Sequence, residues 1–367
     1  MKRNSKNCYL VLADGTIYPG KSFGARGDTL GEVVFTTAMT GYMETLTDPS
    51  YYGLIVVQTF PLIGNYGVIT PDCESEKPLV RGYIVREWCE VPSNFRNEGD
   101  IDTFLKSNNI IGLYDIDTRA LTRRLRVQGV MNGAIVEDKA EINDALFAKL
   151  NAYKVESGVE TVSPQKSLGL KPQNPKYKVA LWDLGAKNNM ERELVARDCE
   201  VIHLPSTVTA EEIAALNVDG VLVTNGPGDP ELNPDVIKEM AKWMDKKIPT
   251  MGICLGHQIM ALAQGCKTEK LKYGHRGENQ PVREIPNGKL YITSQNHGYT
   301  VSFQDLPHHV KVLYENVSDG TCEGLTFEGM PCFSVQFHPE AAGGPLDTAF
   351  LFQRFIDLMG GAANATK

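Results

Sequence analysis

The sequence predicts an α/β protein in two parts. The C-terminal part is a mainly parallel sheet flanked by helices and ending in a nucleophile elbow, and the N-terminal part is a separate α+β domain. Three observations carry this expectation. Strand-like and helix-like runs alternate from residue 178 to 253, a cysteine lies between two glycines in Gly252-Ile253-Cys254-Leu255-Gly256, and residues 156–177 show the weakest periodicity of the chain. The last of these separates a domain over 1–155 from one over 178–361, joined by a linker over 156–177.

Length and composition fit that division. A chain of 367 residues, 42% hydrophobic and 22% charged, is long enough for two or three globular domains. Mean hydropathy is −0.23, and no apolar run approaches a membrane span. Lys2, Arg3 and Lys6 precede an apolar segment that stops at Asp14, too short for a signal peptide. A net charge of −8 argues against non-specific binding to nucleic acid or anionic membranes. The eight cysteines form no Cys-x-x-Cys pair and no zinc spacing, as expected of reduced thiols in a cytoplasmic protein.

In chain order, Cys8 to Tyr18 reads as a hairpin around Asp14-Gly15. Glu32 to Thr36, Leu54 to Thr59 and Leu79 to Arg86 are strand-like. Helices are expected from Asp100 to Ser107 and from Thr118 to Gln128, the second closed by Gly129. Its arginines, Arg119, Arg123, Arg124 and Arg126, read as a solvated face. Ser157, Gly158, Ser163, Pro164, Gly169, Pro172 and Pro175 then make the connector. Beyond it come strands at Lys178 to Asp183, Glu200 to Leu204, Gly220 to Thr224 and Ile248 to Ile253. Helices at Ala186 to Arg197, Ala210 to Leu216 and Asp235 to Met244 alternate with them, implying right-handed crossovers and a parallel sheet. Short strands between Leu290 and Gln336 suggest an antiparallel extension. A last helix, Leu346 to Met359, is expected to bury Phe350, Phe355 and Leu358.

The chemistry concentrates at strand ends, where reactive groups gather in such sheets. Cys254 sits in a turn so tight that side chains at Gly252 and Gly256 would collide, with a helix running from Gln258 to Gln264 behind it. A helix N-terminus favours a thiolate, and the Leu255 N–H can serve an oxyanion. A buried, inert cysteine is the competing reading. A thiol nucleophile needs a base, and His338 follows the apolar strand Phe333 to Gln336. Pro339 favours an extended backbone, which puts His338 and Glu340 on one face, so that Glu340 can orient the imidazole. Thr224-Asn225-Gly226-Pro227-Gly228-Asp229-Pro230 is neither a dinucleotide fingerprint nor a P-loop; as the neighbour of an elbow it can form the second wall of an oxyanion hole. His257 is assigned to packing or a local hydrogen bond, His297 to the pocket wall, and His203, His308 and His309 to structural or exposed positions. No histidine or cysteine cluster has metal-ligand spacing.

Taken together, Gly252-Ile-Cys-Leu-Gly-His-Gln258, Asn225-Gly-Pro-Gly-Asp-Pro230 and His338-Pro-Glu340 resemble a class I glutamine amidotransferase domain. Gly31-Glu-Val-Val-Phe35, Thr40-Gly-Tyr-Met-Glu44, Thr47-Asp-Pro-Ser-Tyr51, Pro61-Leu-Ile-Gly-Asn-Tyr-Gly67 and Asp115-Ile-Asp-Thr-Arg-Ala-Leu-Thr122 resemble the N-terminal domain of the carbamoyl-phosphate synthase small subunit. The resemblance implies a glutaminase in which Cys254 forms a glutamyl thioester, His338 is base and then acid, and Glu340 holds the ring. It implies glutamine contacts from Ser50, Gly226, Gly228, Leu255, Gln258, Asn296, Gly298 and Tyr299, with Ser50 reaching in from the other domain. It also implies a large synthetase partner that receives ammonia through a channel and holds ATP and magnesium, this chain having no cofactor and no nucleotide site of its own. The carbamoyl phosphate would serve arginine or pyrimidine synthesis, or both. Alternatives are an ammonia-donating subunit of another synthetase and a stand-alone thiol hydrolase. Two departures are Tyr299, where the family usually has phenylalanine, and Gln280, where histidine is frequent.

Overall fold

The computed structural model describes residues 6–155, 158–163, 169–304 and 306–361. The chain divides into two compact units, Met1–Glu156 and Ser157–Lys367.

In the first unit seven strands close into a barrel. Their order is Asn7–Leu12, Ile17–Gly24, Ile111–Tyr114, Gly82–Ile84, Leu54–Gln58, Thr29–Thr36 and Met131–Val136. The hairpin forms about Asp14-Gly15, with Leu10 opposite Tyr18 and Gly15 at φ 85°. The Leu79 to Arg86 run contributes only Gly82–Ile84, and Ile111–Tyr114 and Met131–Val136, not read from the sequence, complete the closure. Asp100 caps the helix Ile101–Ser107 by accepting from the Thr103 N–H at 2.8 Å. The helix Thr118–Gln128 buries Leu121 and Leu125 and stops at Gly129, φ 99°. Of its arginines, Arg119, Arg123 and Arg126 are exposed, and Arg124 pairs with Asp14 at 2.7 Å.

The second unit holds a nine-stranded sheet. Cys199–Leu204, Tyr177–Trp182, Gly220–Val223, Thr250–Ile253 and Cys332–Val335 are consecutive and parallel. Cys322–Phe327, Val310–Asn316, Thr268–Glu284 and Leu290–Val301 extend it antiparallel, so the extension begins at Thr268 rather than Leu290. Successive side chains of a strand serve opposite faces, and both faces here are covered. Ala180, Trp182, Val221 and Val223 join Met240, Trp243 and Ile259 on one side. Val179, Leu181, Leu222, Met251 and Phe333 join Phe352 and Phe355 on the other.

Two sequence expectations need correction here. The last helix spans Phe350–Met359 and buries Phe355 as expected, but Phe350 is 40% exposed, lying tilted against the Tyr291 ring, and Leu358 is only partly buried; Leu351, Phe352 and Ile356 complete the buried face. A 3.6-residue period starting at Leu351 selects that face. The expected connector also includes a helical turn, Val159–Val162, whose Val159 enters the core of the second unit. Ser163 Oγ there donates to the Asp183 carbonyl at 2.7 Å. Residues 156–157 and 164–168 of the connector lie outside the described residues. Among the described residues no helix is long and apolar enough to cross a membrane.

Candidate active site

The strand Thr250–Ile253 turns directly into the helix Leu255–Ala263, with Cys254 at the corner in φ 53°, ψ −103°. A non-glycine residue there stores strain of about 1–3 kcal/mol, maintained only where surrounding structure imposes it. Backbone bonds impose it here: Cys254 N–H donates to the Val335 carbonyl at 2.8 Å, and Gly256 N–H to Thr224 at 3.0 Å. A Cβ on Gly256 would lie 2.3 Å from the Val223 oxygen, and one on Gly252 2.6 Å from Met260 Sδ. Both glycines are therefore needed bare. Cys254 Sγ donates toward the Asn296 carbonyl at 3.8 Å. Elsewhere burial pushes the thiols of Cys8, Cys73, Cys266 and Cys332 up to about 11 and that of Cys199 up to about 12, which leaves them protonated at neutral pH.

The parallel pairing of Thr250–Ile253 with Cys332–Val335, Ile253 opposite Val335, brings the segment 336–340 beside the elbow. His338 N–H donates to the Ser294 carbonyl at 2.9 Å, two residues from the Asn296 carbonyl that Cys254 meets. His338 Nδ1 lies 2.6 Å from Glu340 Oε1, which places the proton on Nδ1 and the lone pair on Nε2. That Nε2 is buried and has no hydrogen-bond partner among the described residues, as a base awaiting a proton requires.

Glu340 is fully buried, and Lys187 Nζ approaches the same Oε1 at 3.0 Å. Burial alone would raise the carboxyl, but the Lys187 charge and then His338 outweigh it and bring it down to about 2. Asn189 also donates to the Glu340 carbonyl. An ionised Glu340 can thus hold the imidazole and stabilise its protonated form.

The Gly226 loop closes the other side. A Cβ on Gly226 would lie 2.7 Å from Leu255 Cδ2 and 2.3 Å from the Leu184 oxygen, so loop and elbow pack closely; Gly228 takes φ 87°. Leu255 is the first residue of its helix, where the N–H has no carbonyl of that helix to bond. Gln258 Nε2 donates to the Tyr299 carbonyl at 2.8 Å and to Gln336 Oε1 at 2.9 Å, tying helix, pocket strand and base strand together. Gly298 and Tyr299 are half-buried. Cys254, Leu255, Gln258, Gly226, Asn296, Tyr299, His338 and Glu340 are thereby linked around the ends of the parallel strands. Ser50 belongs to the first unit, in the 3₁₀ turn Pro49–Tyr51, its N–H donating to Asp48 Oδ1 at 2.8 Å.

Comparison with known proteins finds a family match in each unit. The profile of the carbamoyl-phosphate synthase small chain, CPSase domain, matches residues 10–135, and that of class-I glutamine amidotransferases matches residues 180–358. The chain is 47% identical to the carbamoyl phosphate synthase small chain of Clostridium perfringens, over 95% of this chain and 98% of that one. It is 48% identical to the Fusobacterium nucleatum small chain, over 95% and 97%. With the carbamoyl phosphate synthase pyrimidine-specific small chain of Bacillus subtilis identity is 46%, over 95% of each. The chain belongs to the carbamoyl phosphate synthase small-chain family.

Within this small chain, Lys187 is a residue that sequence reading missed. It follows the first strand of the parallel sheet, a position at a strand C-terminus that could have drawn notice. His257 is fully buried, bonds Ser334 Oγ at 2.9 Å, and is pushed down to about 3 by burial. His203 is pulled by burial downward, but Asp183 and Glu191 overcome this and hold it up at about 9, in a structural ion pair. Gln280 lies in the irregular part of the Thr268–Glu284 strand, its carbonyl accepting from Thr293 Oγ1 at 2.9 Å.

Proposed function

We propose that this chain is the glutaminase subunit of a glutamine-hydrolysing carbamoyl-phosphate synthase, with Cys254, His338 and Glu340 as its catalytic residues. The observation that carries the proposal is the strained Cys254 elbow beside a His338 whose Nδ1 is held by Glu340 and whose Nε2 is buried without a partner. Cys254 Sγ attacks the side-chain amide carbon of glutamine while its proton passes to His338 Nε2. The N–H groups of Leu255 and Gly226 receive the developing oxyanion. Collapse breaks the C–N bond, His338 gives its proton to the leaving nitrogen, and ammonia departs from the thioester. Water, deprotonated by His338, then releases glutamate and the free thiol.

Gly228, Gln258, Asn296, Gly298, Tyr299 and Ser50 are proposed to bind the glutamine; Gln258 has its Oε1 to offer, since its Nε2 is engaged. The hydrolysis uses no cofactor. ATP, magnesium and bicarbonate belong to a large synthetase subunit in the cytoplasm, to which the ammonia passes directly, since free ammonia would be protonated and lost. The carbamoyl phosphate would supply arginine or pyrimidine synthesis. The name of the Bacillus subtilis relative favours pyrimidines.

The test is Cys254→Ser in the assembled complex. Glutamine-dependent synthesis should vanish while ammonia-dependent synthesis continues. Loss of both activities would assign Cys254 a structural role, and retained glutamine use would remove it from the mechanism.

A further inference from the structure

One buried cluster plays no part in that chemistry. His275 on Thr268–Glu284 stands opposite His297 on Leu290–Val301, their rings edge-on with centroids 5.0 Å apart. Glu323, on Cys322–Phe327, completes a trio whose donor atoms all lie within 4.8 Å of one another. All three residues are buried, Glu323 completely.

Each side chain is oriented from behind. His275 Nε2 lies 2.8 Å from Asp319 Oδ2, so this nitrogen carries hydrogen. Its Nδ1 is buried, makes no well-aligned hydrogen bond among the described residues, and sits 3.4 Å from Glu323 Oε1. Burial pulls this imidazole down, but Asp319 and Glu323 hold it up at about 9, so a cation must displace a proton there. His297 Nδ1 lies 2.8 Å from the Tyr299 carbonyl and must donate to it, which leaves the lone pair of a neutral ring on Nε2. That lone pair faces another acceptor, Gln295 Oε1, at 3.1 Å. Turning the amide over does not help, because Gln295 Nε2 already donates to Glu323 Oε2 at 3.0 Å. Asn316 Nδ2 donates to Glu323 Oε1 at 3.1 Å. Metal-binding histidines characteristically give their other N–H to a carboxylate or carbonyl, as both do here. Donors about 2.0–2.2 Å from a tetrahedral zinc ion are separated by about 3.4 Å, so the 3.4 and 3.1 Å contacts already match such an edge. Within the trio, whose donor atoms lie up to 4.8 Å apart, the widest pair must close by about 1.4 Å on loading.

We propose that His275 Nδ1, His297 Nε2, Glu323 Oε1 and Gln295 Oε1 form a site for one divalent cation of borderline softness, zinc foremost. Two imidazoles, a carboxylate and an amide oxygen suit that ion. A cation between His297 and Gln295 removes the contact between facing lone pairs. Its role is structural: it clamps the Gln295–Tyr299 segment, whose Asn296 carbonyl meets Cys254 and whose Tyr299 carbonyl holds Gln258.

The test uses the full chain carrying Cys254→Ser, so that the reactive thiol cannot hold metal. After treatment with chelator, titration with Co²⁺ should give one equivalent with tetrahedral visible bands and no thiolate charge-transfer band. Zn²⁺ should displace it and raise Tm by several degrees. His275→Gln and Glu323→Gln should each weaken Co²⁺ binding by about 100-fold or more and abolish the Tm rise, with circular dichroism unchanged. Absence of a tetrahedral spectrum in the parent would overturn the proposal and leave the cluster as an ion pair of His275 with its carboxylates. Binding that persists in both variants, or that carries a thiolate band, would place the ion elsewhere and overturn it equally.

Discussion

Replacing Lys187 by methionine isolates the charge that keeps Glu340 ionised. The methionine retains most of the buried stem and removes only the ammonium at 3.0 Å from Oε1. Glu340 is lowered from 4.5 to about 2 although burial opposes this, and Lys187 is the largest single opposing cause. At 1.36 kcal/mol per pH unit the depression corresponds to ~3 kcal/mol of stabilisation, shared with His338. Because the folded value is depressed, this contribution is complete above pH 4.5 and is lost as pH falls toward 2. Urea unfolding followed by the fluorescence of Trp182 and Trp243, both in the core of the second unit, reads its stability. Lys187→Met should lower it by about 2–3 kcal/mol at pH 7, with the gap to wild type narrowing below pH 4.5. The acid limb of kcat/KM for glutamine hydrolysis should move to higher pH, since a protonated Glu340 no longer stabilises the imidazolium. A variant within about 0.5 kcal/mol of wild type, with an unmoved acid limb, would refute the electrostatic role assigned to Lys187.

Gly256→Ala should cost glutaminase turnover at least about 100-fold, because its Cβ would lie 2.3 Å from the Val223 oxygen and must displace the elbow; wild-type kcat would show that the turn tolerates a side chain. Ser50→Ala in the assembled enzyme should raise the KM for glutamine and leave ammonia-dependent synthesis intact, and an unchanged KM removes Ser50 from glutamine binding.

Much of the second unit was legible because its physics is local. The alternation from Tyr177 to Ile253 follows from crossovers that need helices between parallel strands, and the elbow from glycines that nothing else can replace. His338 and Glu340 do meet, but through a turn over Pro339-Glu340, with the Ala341 N–H donating to the His338 carbonyl at 3.3 Å, and not through the extended backbone that the spacing suggested. What escaped depends on pairing across distance. The strand Thr268–Glu284 contains Glu269, Lys270, Lys272, Glu278 and Asn279, a composition that hides a strand until its partners are known. The barrel of the first unit closes through strands as short as Gly82–Ile84, with too few residues to display a period. Lys187 meets Glu340, and His275 meets His297 and Glu323, only once the sheet has formed. Phe350 was misassigned because one turn of sequence fits two helix faces equally well until the start of the helix is fixed.

The strand that brings His338 is the last of the nine in sequence, yet it is inserted next to Thr250–Ile253 near the middle of the sheet. A ribosome therefore releases the sulfur well before the imidazole proposed to activate it. On the mechanism proposed above, the nascent thiol lacks its proton acceptor during synthesis, so the growing polypeptide would not squander the cell's amide nitrogen. The proposed pair arises only when the late segment slots home, and with it the Val335 carbonyl, which accepts from the Cys254 N–H and fixes the corner.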